Sequence, residues 1–358
     1  MPEVNQQRQV WTRLKRNKGA LVGMVVIALS VILSIVGYLV SPDGSPYANR
    51  MTVEIGGLKP GTEVQFLKIP FQKKYESVSF FHQLLNGKPD QYQYIPIKSY
   101  QVKGDSTRVQ VYIDEETSVE SVYANTALAG KAFEKRRFWL GTDKYGRDIL
   151  SRLIIGVRVS LSVGLITVLI SLSIGVLLGA LAGYYGGRTD ALITWFINVI
   201  WSIPTLLLVF AITLLLGKGF WRVFIAIGLT MWVNVARIVR GQIIGVRELE
   251  YVEAGRALGY TSMRILFRHI LPNVMGPVLV VAASNFASAI VIEAGLSFLG
   301  IGVQPPQPSW GLMIKENYNF IITHNPMLAL APGFAIMLLV LAFNLLGNGV
   351  RDAMATRE

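Results

Sequence analysis

Glu293 is an ionisable residue near the outer end of an apolar run, Ile270 to Ile292. A carboxyl group at membrane depth is costly to bury, so it either carries protons or makes a structural hydrogen bond to a facing loop or the following helix. Asn198, Asn234 and Asn344 pose the same question more weakly. Catalytic sets are missing elsewhere. His82, His269 and His324 lie in separate segments, with no Ser-His-Asp or paired-carboxylate pattern around them. The fragment "LLLGKGF" lacks both the spacing and the hydroxyl residue of a phosphate-cradling loop, so ATP hydrolysis by this chain is excluded. Zero cysteines exclude disulfides and thiolate metal sites. What remains is recognition chemistry, concentrated in "EYVEAGRALGYTSMRILFRHILPN", Glu250 to Asn273.

That stretch reads as helix, turn, helix. Tyr251, Ala254 and Leu258 fall on one helical face by their spacings of three and four, with Arg247, Glu248 and Arg256 directed elsewhere. Gly259 suits a left-handed cap, and "SMRILFRHIL" then leads into Pro272. A short surface helix with a small apolar face suits a groove on another protein.

The elements that carry this stretch are membrane spans. Hydrophobic residues make up 52% and charged ones 16% of 358 residues, far from a soluble average. Five charge-free runs are long enough to cross about 30 Å of hydrocarbon: Gly19 to Val40, Val159 to Gly187, Ala191 to Gly217, Ile270 to Ile292 and Met327 to Val350. Between Arg222 and Arg237 only 14 uncharged residues intervene, and this sixth segment spans if both arginines reach outward to the headgroups. Six spans with both termini cytoplasmic place the basic residues Arg8, Arg13, Lys15, Arg16 and Lys18, and the arginines from Arg237 to Arg268, inside. The net charge of +12 is explained by topology and anionic lipid, and nucleic acid is not an expected partner. The first run is too long for a cleaved signal peptide, and no A-x-A site follows it.

Between Ser41 and about Arg137 the chain turns polar and β-prone. "RVQVYID" alternates Val109, Val111 and Ile113 against Arg108, Gln110 and Tyr112, which is strand patterning. This extracytoplasmic region either packs as a spacer or docks an external partner. Thr167, Ser171, Gly175, Gly179 and Gly183 form a four-residue stripe where a second helix, in this chain or another, can approach closely. Pro204 in "WSIPTLLL" removes a backbone donor and is expected to kink or break its span, as a structural bend or a gating site.

The opening stretch resembles the cytoplasmic loop of bacterial ATP-binding-cassette importer permeases: E-A-A, three residues, G, nine residues, I-x-L-P. Here it reads Glu253-Ala254-Gly255, Gly259, nine residues, then His269-Ile270-Leu271-Pro272, with Gly255 and His269 as substitutions. "LGTDKYGRDILSRLIIGVRVSL", "GYYGG", "RHILPN" and "SFLGIGVQPPQPSWG" narrow the resemblance to the oligopeptide/dipeptide permease family, C-type subunit. It covers 1–40 and about 138–355 and leaves out the β-rich region. Joined to the strand patterning of 41–137, the resemblance implies an all-α integral membrane protein of the type I importer permease class, six transmembrane helices with an inserted β-rich extracytoplasmic domain. It divides the chain into a cytoplasmic tail (1–18), a first transmembrane helix (19–40), the insertion (41–137), a five-helix core (138–350) with a coupling loop at about 241–272, and a second cytoplasmic tail (351–358). It also implies a second permease, two cytoplasmic ATPase subunits and an extracytoplasmic solute-binding protein as partners, with ATP and Mg on the ATPases and no cofactor on this chain. Glu253, Ala254, Gly255, Arg256, Gly259, His269, Leu271 and Pro272 would serve ATPase coupling; Gly175, Gly179 and Gly183 would pack helices; Asn198, Pro204 and Glu293 are gating or pore candidates. The alternative is a proton-coupled secondary transporter using Glu293.

Overall fold

The computed structural model describes residues 10–71, 78–114, 116–128, 132–217, 219–323 and 325–354. Arg8, His324, Lys218 of "LLLGKGF" and the far ends of both tails lie outside the described residues. In chain order the elements used below are α1 (Lys18–Val40), β1 (Thr62–Pro70), α2 (Phe80–Asn86), β2 (Tyr92–Lys103), β3 (Ser106–Tyr112), β4 (Ser118–Ala124), β5 (Phe133–Phe138), α3 (Ile149–Tyr185), α4 (Gly187–Trp201), α5 (Thr205–Leu216), α6 (Phe220–Val246), α7 (Glu250–Ala257), α8 (Ser262–Phe298), α9 (Trp310–Asn317) and α10 (Met327–Met354).

Among the described residues five helices are long and apolar enough to cross a membrane: α1, α3, α6, α8 and α10. A sixth crossing exists only if α4 and α5 are taken as one broken span, since they meet at 91°. The break expected at Pro204 is present, and the bounds of the spans are corrected. The run from Ala191 to Gly217, read as one span, is split at 202–204, where Pro204 cannot continue the ladder. The short segment between Arg222 and Arg237 is the middle of a continuous 27-residue helix. Charge-free runs mislead here because arginines lie within helices. Arg240 forks onto the carboxylate of Asp190, one arm at 2.6 Å, and the Arg237 guanidinium lies 4.0 Å from the centre of the Trp201 ring. Likewise α3 begins at Ile149 and not at Val159, because Arg158 donates to the carbonyls of Ser34, Ile35, Leu84 and Leu85.

The chain forms two compact units. The first comprises 1–30, 160–304 and 336–358. Its core is built from Val235, Val239 and Ile243 of α6, Ala180 of α3, Val252 of α7, and Ile265, Leu266, Ile270, Val274 and Val278 of α8. The stripe on α3 meets α6: a methyl group added at Gly175 would stand 2.5 Å from Val235 Cβ, at Gly179 2.5 Å from the Ala236 carbonyl oxygen, and at Gly183 2.8 Å from that of Arg240. Without side chains on one partner the two backbones come into contact, which is how helices associate where no hydrophobic drive separates protein from lipid.

The second unit comprises 31–159 and 305–335. It holds one antiparallel sheet of order β4-β3-β2-β1-β5. Successive residues of β1 point to opposite faces, and both faces are covered: Leu67 packs with Ile97 and Val109, Phe66 with Ile55 and Phe138. In β3, Val109 is buried between exposed Arg108 and Gln110, while Ile113 lies past the strand and is exposed. A buried ionic cluster also belongs to this unit. Arg147 bonds Asp143 at 2.6 Å and Glu316 of α9 at 2.7 Å, Arg152 lies 3.6 Å from the same Glu316, and Trp310 donates to the Leu153 carbonyl at 3.0 Å.

Candidate functional site

The charged stretch folds around α7. Leu249, in extended conformation, starts the helix; Glu250 and Glu253 in its first turn and Arg256 in its last complement the helix dipole. Its end is a Schellman motif: Tyr260 N–H donates to the Gly255 carbonyl at 3.0 Å and Gly259 N–H to that of Arg256 at 2.9 Å. Gly259 sits at φ +77°, where a side chain is strained. A methyl added at Gly255 would meet the Tyr260 ring at 3.5 Å, the place of the hydrophobic contact that often accompanies this motif.

Two faces of this helix have opposite fates. Val252 is 1% exposed and Gly255 is buried, both turned towards α8 and the unit core. Tyr251, Glu253, Ala254, Arg256 and Leu258 are exposed, Leu258 to 71%. An apolar side chain left in solvent on a helix whose other face is anchored is a knob without a socket in this chain.

The loop is not a separate piece between spans. Residues 241–246 belong to α6, and the second helical run continues through Leu271 and Pro272 into α8. The coupling loop read at about 241–272 therefore shrinks, outside these long helices, to 247–261. Leu266–Ile270 form one π turn just before Pro272, whose missing N–H leaves the ladder irregular there. Asn273 spans this place, donating to the His269 carbonyl at 2.8 Å and to Tyr251 Oη at 3.0 Å, which ties α7 to α8. His269 stacks on Tyr260 at 5.7 Å and 13°, Arg264 covers the same tyrosine at 4.2 Å, and Arg256 faces Tyr184 of α3 at 5.9 Å. His269 Nε2 is buried with no hydrogen-bond partner among the described residues.

The other candidates lie elsewhere. Asn198 is exposed on α4, and Pro204 stands at the break before α5. Glu293 is 1% exposed and accepts from Ser297 Oγ at 2.6 Å; that hydroxyl in turn accepts from Val303 N–H at 3.0 Å. The carboxylate thus fixes the end of α8 to its following loop. Among the described residues no group of acidic, His or Cys side chains could hold a metal ion. Asn273 was missed in the sequence as a functional residue, although an amide beside a proline within a helix is a signal for side-chain bonding to the disturbed backbone ladder.

Residues 175–357 match the family described as "Binding-protein-dependent transport system inner membrane component", and 5–54 match "N-terminal TM domain of oligopeptide transport permease C". The dipeptide transport system permease protein DppC of Alkalihalophilus pseudofirmus is 43% identical over 216 residues, covering 60% of this chain and 71% of that one. The glutathione transport system permease protein GsiD of Pectobacterium atrosepticum is 42% identical over the same length, with 60% and 71% covered. The DppC of Lactococcus lactis subsp. cremoris is 31% identical over 357 residues, 99% of this chain and 92% of that one, so its match takes in the sheet-forming segment as well. By these matches the chain belongs to the binding-protein-dependent transport system inner membrane components, as a C-type permease of the oligopeptide/dipeptide family.

Proposed function

We propose that this chain pairs with a second permease to form the pathway of an ATP-driven importer for di- or oligopeptides or similar small solutes, with α7 as its contact to a cytoplasmic ATPase. The observation that carries the reading is the division of α7 into an anchored face, Val252 and Gly255, and an exposed one, Tyr251, Ala254 and Leu258 with Glu253 beside them. A helix so mounted passes a push on its outer face to α6 and α8 through the shared core. Glu253 contacts the ATPase, Arg256, His269, Leu271 and Pro272 shape the loop around it, and ATP and Mg remain on the ATPase subunits. Both termini and α7 are cytoplasmic, the sheet-bearing insertion is extracytoplasmic, α4 and α5 together make the sixth crossing, and a solute-binding protein delivers the cargo outside. The names of the relatives, dipeptide and glutathione permeases, support peptide-like cargo.

The test is purification of the tagged chain in mild detergent, with and without Glu253→Lys. A second permease and ATPase subunits are expected with the parent chain, and loss of the ATPase alone with the variant. A homo-oligomer free of ATPase would overturn the reading.

A further inference from the structure

The break between α4 and α5 opens a cavity of about 210 Å³ within the first unit. Its walls come from separate elements: Trp201 and Thr205 flank the break, Asn234 belongs to α6, and Ser288 and Ile292 belong to α8. Thr205, Asn234 and Ser288 are all exposed, and no ionisable side chain lines the space. In a helix bundle at membrane depth, hydrogen-bonding side chains from three elements do not converge on lipid, which offers them no partner. They face a solvated path or the molecule passing along it. Trp201 in this wall carries the Arg237 guanidinium 4.0 Å from its ring centre, and Arg237 itself does not line the space.

We propose that this cavity is a contact site for the transported solute, which it holds through neutral amide and hydroxyl groups. The occupant that fits is one segment of a short peptide, whose backbone N–H and C=O groups pair with Asn234, Ser288 and Thr205 whatever its side chains carry. Absence of lining charge makes the site indifferent to the charge of the cargo, while apolar Ile200, Ile203 and Ile292 limit its bulk. The substrate class rests on the proposed function; the location of the site rests on the cavity alone.

The chain has no cysteine, so single Cys variants report without background. In the reconstituted complex, Ser288→Cys and Asn234→Cys should react with a small charged methanethiosulfonate, whereas Leu207→Cys, on the exposed apolar surface of α5, should not. Adding dialanine while uptake proceeds should slow labelling of both reporters by about tenfold, the effect of occupying a site held by a few neutral hydrogen bonds. Asn234→Leu should raise KM for dialanine by a similar factor and leave recovery of the second permease unchanged; Asn234→Gln should restore uptake. Unreactive cysteines, or loss of the second permease with Asn234→Leu, would mean that the patch is an interface between permeases and would overturn the site. Labelling that dialanine does not slow, in a complex that imports dialanine, would overturn it too. Failure of the parent complex to import any peptide would instead overturn the substrate reading.

Discussion

Gly179→Ala tests the contact between α3 and α6 with the smallest perturbation available. The added methyl would stand 2.5 Å from the Ala236 carbonyl oxygen and 2.9 Å from Val239 Cβ, whereas ordinary contact begins at 3.4 Å, so the helices must part locally by about 0.9 Å. A gap of that size forfeits roughly a quarter to a half of the dispersion energy of each affected pair. Overpacking of this kind costs about 1–3 kcal/mol. Alanine returns about 1 kcal/mol through its better helix propensity, leaving a net loss of up to about 2 kcal/mol. The assay is thermal unfolding of the detergent-solubilised chain followed by size-exclusion fluorescence, where a midpoint lower by up to about 3 °C is expected. Gly333→Ala is the matched control, because nothing lies within 4 Å of the new methyl and only the propensity gain remains. A Gly179→Ala protein as stable as the parent, with Gly333→Ala no different, would refute the packing argument.

Three further perturbations probe other parts. Gly255→Ala should be tolerated, with full recovery of partner subunits, since its methyl meets Tyr260 and Ile265 at ordinary distances of 3.5 Å and 3.8 Å; a dissociated complex in pull-down would contradict this. Tyr251→Phe removes the acceptor for Asn273 Nδ2 and should lower uptake per ATP hydrolysed by up to about tenfold while subunit recovery stays intact; equal coupling in proteoliposomes would show that the tie between α7 and α8 is dispensable. Glu316→Gln removes the ion pair of buried Arg152 and leaves Arg147 paired with Asp143 alone, and should cost about 3–5 kcal/mol in thermal unfolding; an unchanged midpoint would refute the ionic role of that cluster.

The sequence made some of this legible and hid the rest for physical reasons. Apolar runs identify α1, α8 and α10 because nothing charged interrupts their centres. They find α3 and α6 but cut both short, because arginines lie within these helices and are paired with backbone carbonyls, a carboxylate or an aromatic ring. Pro204 announced a break, but not its 91° angle or the cavity beside it, because those depend on α6 and α8 from distant sequence. Gly259 was readable as a turn since few residues accept φ +77°. The partner of the glycine stripe was not readable, because small residues say only that something comes close. Glu293 illustrates the limit of single-residue reasoning: its type suggested proton chemistry or a structural bond, and the structure gives it Ser297.

The proposed role of α7 is to transmit force from ATPase to permease, and Gly259→Val tests it most directly. Valine at φ +77° costs about 1–2 kcal/mol and undoes the cap that sets the angle between α7 and α8. The measurement is peptide uptake and ATP hydrolysis, side by side, in proteoliposomes carrying the whole complex. The predicted result is continued hydrolysis with uptake reduced at least about tenfold. Uptake and hydrolysis both at parental levels, in a complex with all subunits present, would contradict it.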